Sequence, residues 1–229
     1  MKAILVTEPM KYGLAMVPQP PCGSGQVLIR TAYCGICGTD LEILGGTMPR
    51  GYVRYPLVPG HEWTGTIVQT GQDVSRCAVG DRVSVEGYLS CGACRHCHAG
   101  ETNLCDSREQ IGLTHNGGFA EYVVAPAGSC HPLPEHIGLE EALLVEPAAT
   151  IVRGISRINL TPGFSATVVG CGPIGQITIR VLSLYQPSKL LAIDRSELQR
   201  FLAIQAGATT FVRTLDAGEL LRESSAEGC

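Results

Sequence analysis

From about residue 147 the chain alternates short apolar runs with helical patterns, and this alternation restricts that region to a parallel sheet with right-handed crossovers. Residues 166–169, 189–193 and 210–212 read as strands. Residues 148–158, 174–185, 196–205 and 217–223 read as helices, the third opening on Ser196 as N-cap and closing at Gly207. Before residue 147 the pattern differs. Short strands are expected at 3–6, 26–33, 64–70, 82–85 and 120–124, separated by glycine turns at 23–25, 45–46, 59–60 and 117–118. A mostly β domain over 1–147 and an α/β domain over 148–229 follow.

The first turn of the α/β region is Gly170-Cys171-Gly172-Pro173-Ile174-Gly175, a match to G-x-G-x-x-G. Among 28 glycines such a match is weak by itself, but this one follows a strand, opens a helix and has Asp194 at the end of the next strand. In a dinucleotide site Gly170 makes the tight turn, Gly172 admits the pyrophosphate and Gly175 lets helix pack on strand. The helix N-terminus faces the phosphates and Asp194 takes the ribose hydroxyls. A carboxylate there favours NAD over NADP through like-charge repulsion with a 2′-phosphate. Arg195 beside it is a group that accommodates a phosphate. An ordinary crossover turn with a surface aspartate is the competing reading.

The chain has 11 cysteines, an odd number, so complete internal pairing is impossible. Four lie at Cys91-x2-Cys94-x2-Cys97-x7-Cys105, in a polar segment (88–106) that cannot build a core of its own. Four thiolates at this spacing suit one tetrahedral zinc, whose binding would supply the segment's folding energy. An iron–sulfur cluster competes, although ferredoxin motifs continue with x3-Cys-Pro, and here Asp106 follows Cys105. Four thiolates leave the ion no open position, so such a site is architectural.

The formal net charge of −4, with no clustered basic charge, argues against nucleic acid as a partner. No window of about 18 uninterrupted apolar residues is present, and the apolar start is too short for a secretory signal, so a cytoplasmic protein without a membrane partner is expected.

Cys37, His61 and Glu146 are each unremarkable alone. Taken together, Gly-Ile-Cys-Gly-Thr-Asp (35–40), Gly-His-Glu (60–62), the cysteine lobe, Gly-Gly-Phe-Ala-Glu-Tyr (117–122), Glu146-Pro147 and the glycine turn resemble the zinc-dependent medium-chain alcohol dehydrogenases, in particular the sorbitol and threonine dehydrogenase branch. The resemblance implies a GroES-like β domain followed by a Rossmann domain, with the active site between them and two zinc sites. By that resemblance Cys37 and His61 are catalytic zinc ligands, with Glu62 and Glu146 as ligand, alternate ligand or water-mediated partner. Asp40 would orient the ligand histidine, Thr39 would take the alcohol proton, and Thr150 would contact the nicotinamide. The expected reaction is NAD-linked oxidation of a secondary alcohol or polyol. A threonine 3-dehydrogenase and a non-catalytic zinc-binding fragment are the alternatives.

Two departures stand out. Five residues past Cys37 the branch commonly has His, and this chain has Glu42. A complete dinucleotide fold has six strands, and only three are legible after residue 165. The chain therefore reads as a truncated member with a partial Rossmann domain and weak or no activity alone. Its full-length relatives are expected to be homo-oligomers.

Overall fold

The computed structural model describes residues 1–49 and 51–213. It divides into two compact units, Met1–Glu146 and Pro147–Cys229. The expected helix at 217–223 lies outside the described residues.

The first unit is built on an antiparallel sheet. In chain order its elements are β1 (Lys2–Glu8), β2 (Lys11–Met16), β3 (Gln26–Cys34), α1 (Gly38–Gly45), β4 (Trp63–Thr70), β5 (Arg82–Val85), β6 (Tyr88–Leu89), α2 (Arg95–His98), β7 (Glu109–Gln110), β8 (Tyr122–Pro126) and β9 (Cys130–Pro132). Five strands pair in the order β8-β3-β4-β5-β9, β1 and β2 form a hairpin, and β6 pairs with β7 beside the cysteine lobe. Alternate residues of the sheet, Val27, Ile29, Trp63, Ile67, Val83, Val85, Val123 and Ala125, share one buried core. That is the period-two pattern of a sheet with one covered face. A smaller cluster of Ile43, Leu57 and Leu113 seats α1 against its neighbouring loops.

In the second unit, α3 (Val145–Ile155), which begins at the boundary, is followed by β10 (Ser165–Val169), α4 (Pro173–Ser183), β11 (Lys189–Asp194), α5 (Gln199–Ala206) and β12 (Thr210–Arg213). The three strands are parallel in the order β10-β11-β12. Ile179 and Leu182 of α4 and Ala203 and Ala206 of α5 pack with Leu190, Ala192 and Phe211 of the sheet. No helix among the described residues is long and apolar enough to cross a membrane.

Several local expectations change, beginning with the helix expected at 148–158, which runs over Val145–Ile155. The helix expected from Ser196 begins at Gln199, with Leu198 as N-cap. Ser196 instead donates its backbone N–H to Asp194 Oδ1 at 2.7 Å, which holds it in the preceding turn. The strand expected at 120–124 is displaced to Tyr122–Pro126. Strand β2 and helix α1 were not foreseen.

Candidate metal centres and nucleotide turn

The β3–β4 ladder brings together two segments far apart in sequence. Its last pair is Cys34 with Trp63, and beyond it Gly35 N–H donates to the Glu62 carbonyl at 2.7 Å. Cys37, three residues past β3, therefore lands beside His61 and Glu62, just ahead of β4. Their ligand atoms all lie within 4.8 Å of one another. Cys37 caps α1, and Asp40 Oδ2 accepts its backbone N–H at 2.8 Å. Asp40 Oδ1 faces His61 Nδ1 at 3.5 Å. Thr39 Oγ1 is 3.9 Å from Cys37 Sγ.

Glycine packing fixes the His61 segment. Gly118 N–H donates to the Gly60 carbonyl at 2.8 Å. A Cβ on Gly117 would sit 2.1 Å from that same oxygen, so only glycine fits. These glycines read from sequence merely as turns. Their recurrence at 59–60 and 117–118 was the signal that two loops touch.

Electrostatics at this cluster follow from burial and neighbours. Burial alone would depress His61, but the Asp40 carboxylate and the Cys37 thiol beside it outweigh that and raise it to about 9. Glu146, at the start of α3, is raised by burial, with His61 opposing the shift and Glu62 adding to it. Glu146 is thus within electrostatic reach of the cluster, although it does not join the three close ligand atoms. Glu42 is exposed on α1 and Thr150 is exposed on α3.

A zinc ion fits the donor set. Zinc–ligand bonds of about 2.0–2.3 Å put tetrahedral ligand atoms about 3.5 Å apart, inside the 4.8 Å cluster of thiol, imidazole and carboxylate. His61 Nδ1 and Asp40 Oδ1 are both buried without a hydrogen-bond partner. An ion on the other ring nitrogen would fix a proton on Nδ1, facing the carboxylate.

The cysteine lobe forms a second cluster. The ligand atoms of Cys91, Cys94, Cys97 and Cys105 also lie within 4.8 Å of one another. Sulfur separations of 3.9 Å (Cys91–Cys97) and 3.6 Å (Cys94–Cys97) match the edges of a tetrahedron around one ion. Several irons would hold the sulfurs farther apart. Backbone N–H groups point at the sulfurs: Ala93 donates to Cys91 Sγ at 3.5 Å and Cys91 donates to Cys105 Sγ at 3.3 Å. The N–H groups of Ala93 and Cys94 lower Cys91 to about 6. Desolvation and the neighbouring Cys94 thiol hold Cys97 up at about 11. None of the described cysteines is in a disulfide.

In the second unit, Gly170 turns at φ +89° after β10, and a Cβ on Gly175 would lie 1.9 Å from the Gly170 carbonyl oxygen. Gly172 is the N-cap of α4, with Pro173 and Ile174 in the first turn and no side-chain cap. Nothing in the chain lies within 4 Å of where its Cβ would be, and its φ of −68° suits any residue. Glycine at 172 thus leaves open space at a helix N-terminus, the cradle a pyrophosphate requires. Asp194 Oδ2 accepts Cys171 N–H at 2.7 Å, and its other oxygen holds Ser196. These N–H groups lower its pKa. Arg195 is exposed beside it, and Arg213 Nε donates to the Arg195 carbonyl at 3.3 Å.

Comparison with known proteins gives a consistent outcome. The alcohol dehydrogenase GroES-like domain family matches residues 23–135. The chain is 40% identical over 222 residues to an L-threonine 3-dehydrogenase of Streptomyces coelicolor, covering 95% of this chain and 64% of that one. It superposes with a TM-score of 0.91 on a zinc-binding dehydrogenase from Sinorhizobium meliloti bound to NADP, at 31% identity, covering 96% of this chain and 64% of that one. A 2R,3R-butanediol dehydrogenase from Bacillus subtilis gives a TM-score of 0.86 at 30% identity, covering 98% of this chain and 67% of that one.

Proposed function

The chain belongs to the zinc-dependent medium-chain alcohol dehydrogenase family, and from that premise we propose that its site is built for transfer of hydride from a secondary alcohol or polyol to NAD⁺, with reduced or no turnover by these 229 residues alone. The observation that carries this reading is the convergence of Cys37, His61 and Glu62 ligand atoms within 4.8 Å. One thiolate, one imidazole and one carboxylate balance a divalent charge without saturating it. Zinc bound there would act as a Lewis acid on a substrate hydroxyl, the effect that lowers the pKa of bound water from about 15.7 to about 7, a shift worth on the order of 12 kcal/mol.

The remaining roles fall to the chain's own groups. Asp40 holds the Cys37 amide and faces His61 Nδ1, so it orients both ligands. Thr39, beside Cys37 Sγ, is the hydroxyl that receives the alcohol proton. Glu146 is the alternate carboxylate to Glu62, as a ligand or through water, a role consistent with its electrostatic coupling to His61 and Glu62. Cys91, Cys94, Cys97 and Cys105 hold a second, structural zinc. Asp194 has lone pairs left for the ribose hydroxyls and repels a 2′-phosphate, which selects NAD. Thr150 contacts the nicotinamide. The boundaries 1–147 and 148–229 are the catalytic and cofactor-binding domains. The thiolates belong in a reducing compartment, the cytoplasm, and the working enzyme is a homo-oligomer.

L-Threonine as substrate is a second reading, favoured by the named Streptomyces relative. The chain spans 64% of that relative's length, and low or absent turnover by these 229 residues alone is part of the proposal. The test combines two measurements on the purified, zinc-loaded chain. NADH should bind at least tenfold more tightly than NADPH, and NAD⁺ reduction should be at most weak across a panel of secondary alcohols. Tighter NADPH binding would refute the cofactor assignment, and brisk turnover of sorbitol would refute the statement about activity.

A further inference from the structure

Two side chains of the five-stranded sheet hold the segment that leads to Glu146. Arg82 on β5 donates from Nη1 to the Ile137 carbonyl at 3.0 Å, and from Nη2 to the carbonyls of Pro134 at 3.0 Å and Glu135 at 2.9 Å. Thr64 on β4 donates from Oγ1 to the Leu139 carbonyl at 2.7 Å. Thr64 is fully buried, at 0% exposure. Its neighbour Trp63 belongs to the main core of the unit, and successive side chains of a strand point to opposite faces. Thr64 therefore lies on the other face of β4, where its cross-strand partner Ser84 is buried as well. Valine would fill the same space, but it would leave the Leu139 carbonyl without this donor.

The bond matters because of what each end continues into. Thr64 closely follows His61 and Glu62, on the strand that leads away from them. Leu139 immediately precedes an unbroken helical stretch. Glu140 and Val145 both have helical backbone angles, Glu141–Leu144 form a 3-10 turn between them, and α3 begins at Val145. That turn is closed on itself. The Ala142 N–H donates to the Gly138 carbonyl at 3.0 Å, the Gly138 N–H donates to Glu141 Oε2 at 2.9 Å, and Ala142 is buried. Continuous helical backbone has no soft joint at which a displacement of its first residue could be absorbed. The place at which Leu139 is held thus decides where Glu146 stands. Glu146 is electrostatically coupled to His61 and Glu62, the pair that β4 continues from.

We propose that Thr64 is a positioning residue, whose hydrogen bond to Leu139 sets the distance of the Glu146 carboxylate from an ion held by Cys37, His61 and Glu62. The inference rests on the metal reading above and adds to it a residue that touches neither ion nor substrate. Arg82 keeps the earlier part of the segment on the sheet when the Thr64 hydroxyl is removed. Loss of the one bond therefore shifts Glu146 without releasing the segment.

The test is a double-mutant cycle on zinc affinity, read by chelator competition on the purified 229-residue chain. Thr64→Val should weaken the Cys37–His61 site about tenfold and leave the cysteine-lobe site unchanged. Thr64→Ser, which keeps the donor and loses the methyl, should bind zinc as the parent does, and it tests the claim even where valine impairs folding. In a Glu146→Gln background Thr64→Val should cause no further loss. With cobalt(II) in this site and zinc in the lobe, Thr64→Val should move the visible absorption bands as Glu146→Gln does. Unchanged affinity in Thr64→Val, a loss in Thr64→Ser as large as that in Thr64→Val, or a loss that persists in full in the Glu146→Gln background would overturn the proposal. Failure of the metal reading is seen separately, as a parent chain that binds fewer than two zinc, and it would take this inference with it.

Discussion

The two ligand clusters of the first unit are made in opposite ways. In the cysteine lobe all four thiols come from residues 91–105, a stretch with one four-residue α-helix, one three-residue 3-10 turn and only Cys105 buried among the four. Its hydrogen bonds are mostly local, so an ion bound by the four thiols would supply the long-range tie. At the other cluster, Cys37 and His61 come from separate segments joined by the β3–β4 ladder, with His61 and Asp40 buried at 5% and 1% exposure. Here the sheet, the α1 cap and the glycine contacts build the site before any ion arrives. On the two-zinc proposal, one cluster would need metal to fold, and the other would need the fold to bind metal.

The strongest test of that contrast is Cys97→Ala. It should remove one zinc and collapse hydrogen-exchange protection across residues 91–105 toward that of an unfolded chain, with the five-stranded sheet still protected. Retained protection in the lobe would show that its fold does not depend on metal. Next in size is Gly117→Ala. Its new methyl would meet the Gly60 oxygen 2.1 Å away, and urea unfolding should show a loss on the order of 3 kcal/mol. The same change should leave lobe zinc in place.

Asp40→Asn acts more gently. The side chain can still accept the Cys37 N–H, but the charge facing His61 is gone. Zinc affinity at that cluster should fall about 10- to 100-fold by chelator competition, with lobe affinity unchanged. Equal weakening of both sites would mean that they are not independent.

The smallest effect lies outside the metal sites and serves as a control. Two backbone N–H groups hold the Asp194 pKa below its ordinary value. A carboxylate depressed in the folded state stabilises the protein above its unfolded pKa of about 3.9, and that contribution is lost as pH falls through the folded value. Asp194→Asn should therefore melt below wild type at neutral pH and converge with it at the acid end. A constant difference at all pH values would remove the charge from the explanation.

The same contrast explains what could be read from sequence. The lobe was legible because its ligands are contiguous and their spacing carries the chemistry. The glycine turn was legible because strand, turn, helix and acid follow in order within one crossover. The Cys37–His61 cluster was not readable from its residues alone, since the ladder that unites them is a long-range fact, and only the family resemblance pointed to it. Helix α1 was obscured by glycines at both ends; Gly46 in fact closes it in the left-handed conformation at φ +70°. Strand β2 was missed because its residues are exposed on an outer hairpin, so no inward alternation marks it. The start of α5 moved because Asp194, which sequence reading assigned to the cofactor, also binds the Ser196 N–H.

The most direct check is a zinc count on the purified chain and on Cys37→Ala. The account predicts two zinc per chain for the parent, and one for the variant with its unfolding midpoint nearly unchanged. A single zinc in both, or iron with acid-labile sulfide in the parent, would contradict it.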